Sequence, residues 1–260
     1  MTRSMRMVVL VIGVAFVGTA LVWAALYMPG FGGDWHPYRD HAAAAALAHA
    51  TANVVSSVNF DQRALDTFGE ESILLGAVVG VAVLLRPVEG ERRRKPKNTG
   101  HVLDSTRLLV VLAAPVALIL GIDVVAHGAI TPGGGFQGGV ILATGLHLLY
   151  VGGRYSAFDR LRPLGLFSQA ESIGVIAFAA IAASGLAAGG AWLANFVQHG
   201  TLAQLASSGT VPLLSGAVGL AVTGSMVVLV AHFLEQRLLV WPPRSEESAS
   251  AKGDEGEERI

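Results

Sequence analysis

The chain is predicted to be all-α, a polytopic membrane protein with about six transmembrane helices and both termini cytoplasmic. Three observations carry this. Its 260 residues are 52% hydrophobic and 14% charged, with 32 glycines, too apolar and too glycine-rich for an ordinary soluble domain. Uncharged apolar runs recur along it, each long enough to cross roughly 30 Å of hydrocarbon at about 1.5 Å per residue. In a six-span arrangement every Lys and Arg except Arg39 and Arg63 falls on the same side, which makes that side cytoplasmic. The net charge of -1 excludes a basic nucleic-acid binder, and the absence of cysteine excludes disulfides, thiol redox chemistry and cysteine-ligated metals. Oxygen and imidazole chemistry is what remains, with no cofactor expected.

Val8 to Met28 forms the first crossing, behind Arg3 and Arg6. A cleaved signal peptide is the alternative, but the apolar run is longer than a usual h-region and the small-residue site around Ala24 is poor. The next loop opens with interfacial aromatic and turn residues, PGFGGDWHPY. An alanine-rich stretch from Ala42 to Val58 then reads as an interfacial or partly inserted helix, because His49, Thr51, Asn53, Ser56 and Ser57 weaken it as a crossing.

The second crossing runs from about Thr67 to Leu85. Thr67 followed by Glu70 matches a capping box, and Asp66, Glu70 and Glu71 would suit the positive end of the helix dipole. The same acids admit a functional reading. Asp66 and Glu70, at i and i+4, would form a carboxylate face where protons or cations enter the membrane, with Arg63 as counter-charge. Arg86 to Arg107 is a basic, Pro- and Gly-containing connection and the strongest topological signal in the chain.

Leu108 to Ala126 is the third crossing, with Pro115 a candidate kink. At its outer end Asp123 and His127 are spaced as an ion pair or as a proton exchange point. The fourth crossing is entered through TPGGGFQGG, residues 131 to 139. Thr131 suits an N-cap and Pro132 the first helical position. Gly133, Gly134, Gly135, Gly138 and Gly139 each cost a helix roughly 1 kcal/mol relative to alanine, so the cluster implies that a neighbouring helix needs the backbone bare. The repeat in steps of four continues through Ala143 to His147, which would face the packed side. GGGFQG also fits the dinucleotide pattern G-x-G-x-x-G, but no strand precedes it and no βαβ unit frames it. Ser172 to Phe196 and Val211 to Leu234 are the fifth and sixth crossings. The former carries a small-residue seam at Gly185 and Gly189, and the loop between them is uncharged. The tail from Arg244 onward is acidic and expected to be disordered. His36, His41, His49, His101 and His199 fall in predicted loops, where solvated side chains are the simplest account.

The string TPGGGFQGGVILATGLHLLY, preceded by VAH, resembles the signature of the B subunit of Mrp-type multisubunit cation/proton antiporters, the MnhB/MrpB family. That resemblance covers roughly Thr106 to Arg237. The string NVVSSVNFDQRALDTFGEESILLGAVVGVAVLL is similar to the C-terminal end of the large A subunit of the same complexes. Asn53, Asp61, Arg63, Asp66, Thr67, Gly69 and Glu70 occupy the matching places, although VVSSVNF is more polar than the aliphatic run usual there. The organisation expected from these resemblances is a two-helix region at 1–90, a basic linker at 91–105, a four-helix B-like domain at 106–240 and a tail at 241–260.

Such complexes are related to the membrane arm of respiratory complex I. The resemblance implies proton-motive-force-driven export of Na⁺ or a similar cation, with other Mrp subunits, the lipid bilayer and the transported Na⁺ and H⁺ as partners and a bacterial cell membrane as location. No lysine lies in any predicted crossing, so the lysine-bearing channel chemistry of the large subunits is missing. The expected role is assembly, with the glycine faces packed against partner subunits, and possible lining of an ion path by Asp66, Glu70, Glu71, Asp123, His127 and His147. A self-sufficient channel or carrier is the alternative, against which stand the lack of an inverted hydropathy repeat and of paired deep charges. A membrane enzyme finds no support, since HExxH, GxSxG and Walker motifs are all missing.

Overall fold

The structure, a computed structural model, describes residues 3–28, 32–33, 36–86, 92–93, 102–152, 164–236 and 239–240. Most of the basic linker, His101, the arginine-bearing connection after Gly152 and the acidic tail lie outside the described residues. Eight helices are described: α1 (Arg3–Leu26), α2 (Pro37–Ala48), α3 (Val54–Ser57), α4 (Ala64–Leu84), α5 (Asp104–Ala126), α6 (Gly135–Val151), α7 (Leu164–Gly189) and α8 (Val211–Gln236). Between α3 and α4 lies a π-helical turn, Val58–Gln62. The strand pairing described is one two-residue antiparallel contact between Arg92–Arg93 and Leu239–Val240. Five helices are long and apolar enough to span a membrane, namely α1, α4, α5, α7 and α8, and α6 is a shorter apolar helix of 17 residues. The molecule is therefore an all-helical, multi-pass membrane protein.

Compactness divides the chain between His41 and Ala42. In the first unit, α1 exposes large apolar side chains around its whole circumference, among them Val8, Ile12, Phe16, Val22 and Trp23, the pattern of a helix surrounded by lipid or by apolar neighbours.

In the second unit α8 is the hub. α4, α5, α6 and α7 all pack against it, and it supplies Val211, Leu214, Ala217, Val218 and Val222 to the buried core, joined by Phe60, Ala129 and Phe178. Lipid tails are as apolar as leucine, so close backbone contact and interhelical hydrogen bonds hold such helices together. The glycines provide that contact within the chain. A Cβ at Gly135 would lie 2.4 Å from the Ser215 carbonyl oxygen and 2.7 Å from Val218 Cβ of α8. One at Gly139 would meet Val222 at 2.8 Å, and one at Gly138 would meet Val125 Cγ2 of α5 at 2.4 Å. Gly174 of α7 and Gly224 of α8 open the α7–α8 seam in the same way. The expectation that the 131–139 glycines seat partner subunits is thus corrected: this face is filled by the chain's own α5 and α8.

Helix boundaries bring further corrections. α6 is capped by Gly134, not Thr131, and Pro132 precedes the helix. Gly134 has φ +141° and Gly133 φ +129°, conformations that side-chain-bearing residues rarely adopt. The motif therefore splits into a two-glycine turn and a three-glycine helix face. Thr131 bonds back instead, its hydroxyl donating to the His127 carbonyl at 3.3 Å. α4 begins at Ala64, so Thr67 is an interior residue whose buried hydroxyl donates to the Asn59 carbonyl at 2.6 Å and not a cap. α7 runs from Leu164 to Gly189 rather than from Ser172 to Phe196; Gly190, at φ +76°, follows its end, and the next residues fold back on Gly185. The alanine-rich stretch stops at Ala48, and Asn53 caps a separate short helix. α5 continues as one helix through Pro115.

Candidate functional site

The six sequence-selected ionisable residues are not brought together. Asp66 is exposed and paired with Arg63. Glu70 is exposed as well. Asp123 and His127 pair at the end of α5, with Nδ1 2.9 Å from Oδ1, both partly open to the surroundings. His147 is half-buried in α6. Glu71 stands apart from all of them: it is 1% exposed, and neither carboxylate oxygen has a hydrogen-bond partner among the described residues.

Glu71 owes its burial to helix phase. One residue after the exposed Glu70, it turns about 100° onto the α4 face that also buries Thr67 and Val78. Seven residues into α4, it lies about 10 Å along the axis from Ala64, inside the span of an apolar helix. Phe68, one turn earlier, stacks on Phe178 of α7 at 5.7 Å and meets Trp192 edge-on at 6.3 Å. These rings close the apolar packing on that side of α4.

A second buried acid lies in α7. Glu171 of α7 is 3% exposed and accepts a 2.7 Å hydrogen bond from the Ser225 hydroxyl of α8. The next residue back, Gly224, permits this approach: a Cβ there would lie 2.4 Å from the Phe167 carbonyl oxygen and 2.6 Å from the Glu171 backbone nitrogen. Sequence reasoning missed Glu171 because it began the fifth crossing one residue later, at Ser172, leaving the acid in a loop. The available signal was the apolar stretch Leu164–Phe167 ahead of the acid, which starts the helix two turns earlier and places Glu171 and Gly174 inside it.

A separate polar cluster caps the other elements. His49 Nδ1 lies 2.5 Å from Asp61 Oδ2, and the rings of His49 and His199 stack at 4.2 Å. The reading of these two histidines as merely solvated is therefore corrected; Asp61 reaches His49 from the π-helical turn. Asn53 links this region to the α5–α6 turn. Its Nδ2 donates to the carbonyls of Gly128 and Thr131, each at 2.8 Å, while its Oδ1 accepts from Val55 N–H at 3.1 Å. No group of three or more His, Asp or Glu among the described residues is arranged to hold a metal ion.

Residues 105–228 match the family model described as a domain related to the MnhB subunit of the Na⁺/H⁺ antiporter. The Methanocaldococcus jannaschii protein MJ1307 is 29% identical over 198 residues, covering 67% of this chain and 74% of that protein. Among solved structures, a chain of the membrane-bound sulfane sulfur reductase, an archaeal respiratory membrane complex, superposes with a TM-score of 0.67 at 25% identity. It covers 91% of this chain and 99% of that one. A chain of the Mrp complex from Dietzia sp. DQ12-45-1b gives a TM-score of 0.64 at 24% identity, a likeness of fold, with 89% of this chain lying on 26% of that longer one. The chain is thus a multi-pass helical membrane protein in which residues 105–228, holding nearly all of α5, α6, α7 and most of α8, are similar to the domain related to the MnhB subunit.

Proposed function

We propose that the chain is a membrane subunit of a multisubunit monovalent cation (Na⁺)/proton antiporter, contributing to assembly and lining part of an ion path. The observation that supports this best is the MnhB-related domain, superposed on a helix bundle that buries two carboxylates. Its seams are closed by its own glycines, so partner subunits would meet the outer faces, where Leu108, Leu112, Ile119 and Ile122 of α5 stand exposed. Lysine-bearing half-channels would come from those partners. Of the surface acids, Asp66 and Glu70 near the start of α4 and Asp123 with His127 at the end of α5 would serve as points of exchange with water, and His147 as a half-buried group within α6.

One observation favours a second reading. The chain of the sulfane sulfur reductase is matched over 99% of its length, so a respiratory membrane complex could house the same subunit, with electron transfer in place of a large antiporter subunit. Both readings make the chain one member of an assembly. The test is purification of the tagged chain from native membranes in mild detergent, with mass spectrometry of what accompanies it. Antiporter-like subunits without redox proteins support the first reading, and redox subunits support the second. Recovery of this chain alone, active in cation/proton exchange after reconstitution, would overturn both in favour of a self-sufficient carrier.

A further inference from the structure

Two connections meet at the end of the bundle where α6 and α8 begin: residues 49–53, between α2 and α3, and residues 190–210, between α7 and α8. The rings of His49 and His199 stack there at 4.2 Å, with 16° between their planes. Beside them the Ser208 hydroxyl donates to the Ala50 carbonyl at 3.1 Å, and the Ser208 amide donates to the His199 carbonyl at 2.7 Å. Ala50 and Ser208 both lie in the left-handed region, at φ +52° and +73°, a conformation that side-chain-bearing residues keep only where their surroundings enforce it. Thr51, Ser207 and Ser208 are fully buried in this contact.

The stack has one carboxylate beside it. Asp61, from the π-helical turn, lies 2.5 Å from His49 Nδ1 and is itself buried, so one imidazolium is balanced. His199 differs: its Nε2 is buried without a hydrogen-bond partner among the described residues, and residues 190–210 contain no Asp or Glu. Among the described residues of this unit, the other charged or titratable groups on the neighbouring elements are engaged elsewhere, Arg63 with Asp66 and His127 of the α5–α6 turn with Asp123. Imidazole takes up its proton between about pH 8 and 5. A second proton on the stack sets two cations face to face against a single carboxylate, and like charges so placed oppose each other.

We propose that His49, His199 and Asp61 form a proton-binding latch: holding at most one proton it keeps the two connections together, and on binding a second it releases them. The released form binds one proton more than the closed form, so release is favoured as pH falls and the latch is shut at neutral pH. What it frees is the segment that turns back along α7, where the Leu193 amide donates to the Ala182 carbonyl at 3.1 Å and Trp192 meets Phe68 one turn before Glu71. Acidification at this end of the bundle therefore loosens the cover over the part of α4 that carries the buried acid. The latch holds whichever membrane complex houses the chain.

The test is hydrogen exchange followed by mass spectrometry on the native complex in mild detergent, at roughly pH 7.5, 6.5 and 5.5 to span imidazole titration, with labelling times scaled to the intrinsic pH dependence of exchange. The reporters are peptides containing Ser208 and Thr51, whose amide donates to the Ala46 carbonyl at 2.9 Å. In the wild type both should be protected at the highest pH and lose protection on acidification, by up to about tenfold per pH unit for one extra proton, while the interiors of α5 and α8 stay protected. His199→Phe keeps a ring against His49 and takes no proton, so both peptides should stay protected at the lowest pH. Asp61→Asn keeps the side chain's shape and removes the charge that balances the first proton, so loosening should begin at higher pH. Protection independent of pH in the wild type, equal loss in the α8 interior, unchanged acid loosening in His199→Phe, or no upward shift in Asp61→Asn would each overturn the latch.

Discussion

Replacing Gly135 by alanine tests whether the glycine motif is an internal seam. The added Cβ would sit 2.4 Å from the Ser215 carbonyl oxygen and 2.8 Å from the Gly219 backbone nitrogen. Ordinary contact begins near 3.4 Å, so α6 and α8 would have to separate by about 1 Å, and neither obstacle is a side chain that can rotate away. Overpacking of this kind costs typically about 1–3 kcal/mol, and a backbone obstacle belongs at the upper end. Gly135 opens the first turn of α6, so the alanine gains little helix propensity in return. Gly76 is the control: it lies inside α4, and a Cβ there meets nothing within 4 Å among the described residues. Gly76→Ala should raise intrinsic stability by about 0.5–1 kcal/mol. The assay is unfolding of the purified chain in detergent, followed by circular dichroism. Gly135→Ala should unfold markedly earlier than wild type and Gly76→Ala no earlier. Wild-type stability for Gly135→Ala, combined with loss of partner subunits, would refute the argument and restore a partner-docking role for the motif.

Three further predictions follow from particular contacts. Asn53→Asp keeps the oxygen that caps α3 but replaces two donated bonds to the Gly128 and Thr131 carbonyls with a carboxylate facing them; it should cost about 2–3 kcal/mol in the same assay, more than a lost cap alone. Gly209→Ala places a side chain at φ +64° and against Asn195 Oδ1. It should destabilise the start of α8 by about 1–3 kcal/mol, visible as faster amide exchange at Thr210 and Val211. Glu71→Gln should abolish cation/proton exchange in membrane vesicles while leaving the amount of assembled complex unchanged, and Glu70→Gln, on the exposed face, should have a much smaller effect; equal loss in both variants would show that burial is not what matters.

The fold was largely legible because lipid imposes a simple demand on sequence. Long uncharged runs and lopsided Lys and Arg placement are enough to identify spanning helices, and α1, α4, α5 and α8 lie close to where hydropathy puts them. What sequence could not supply was phase and termination. Nothing in TPGGGFQGG says that the first two glycines serve a turn and the last three a helix face; that depends on α8 approaching to within contact of Gly135. Small-xxx-small spacing signals close approach without naming the neighbour, which is why the seam was assigned to partner subunits when its occupants are α5 and α8. Thr67 and Thr131 have the side chains of caps, but the backbone carbonyls of Asn59 and His127, eight and four residues back, claim their hydroxyls. The site suffered from the same limits. Of the run Asp66, Glu70 and Glu71, pattern favoured the i, i+4 pair, whereas the structure buries the third acid. Its companion Glu171 was lost to an error of eight residues in the start of α7. His199 lies far in sequence from His49 and Asp61, and only the fold could bring it to them.

Reconstitution of the purified native complex into vesicles, with internal pH followed by a fluorescent dye, tests the central claim most directly. Addition of Na⁺ to energised vesicles should collapse the proton gradient for complexes carrying the wild-type chain. The same complexes with Glu71→Gln should hold the gradient at every Na⁺ concentration. A gradient indifferent to Na⁺ with the wild-type chain, or full Na⁺-dependent collapse with the variant, would contradict the account.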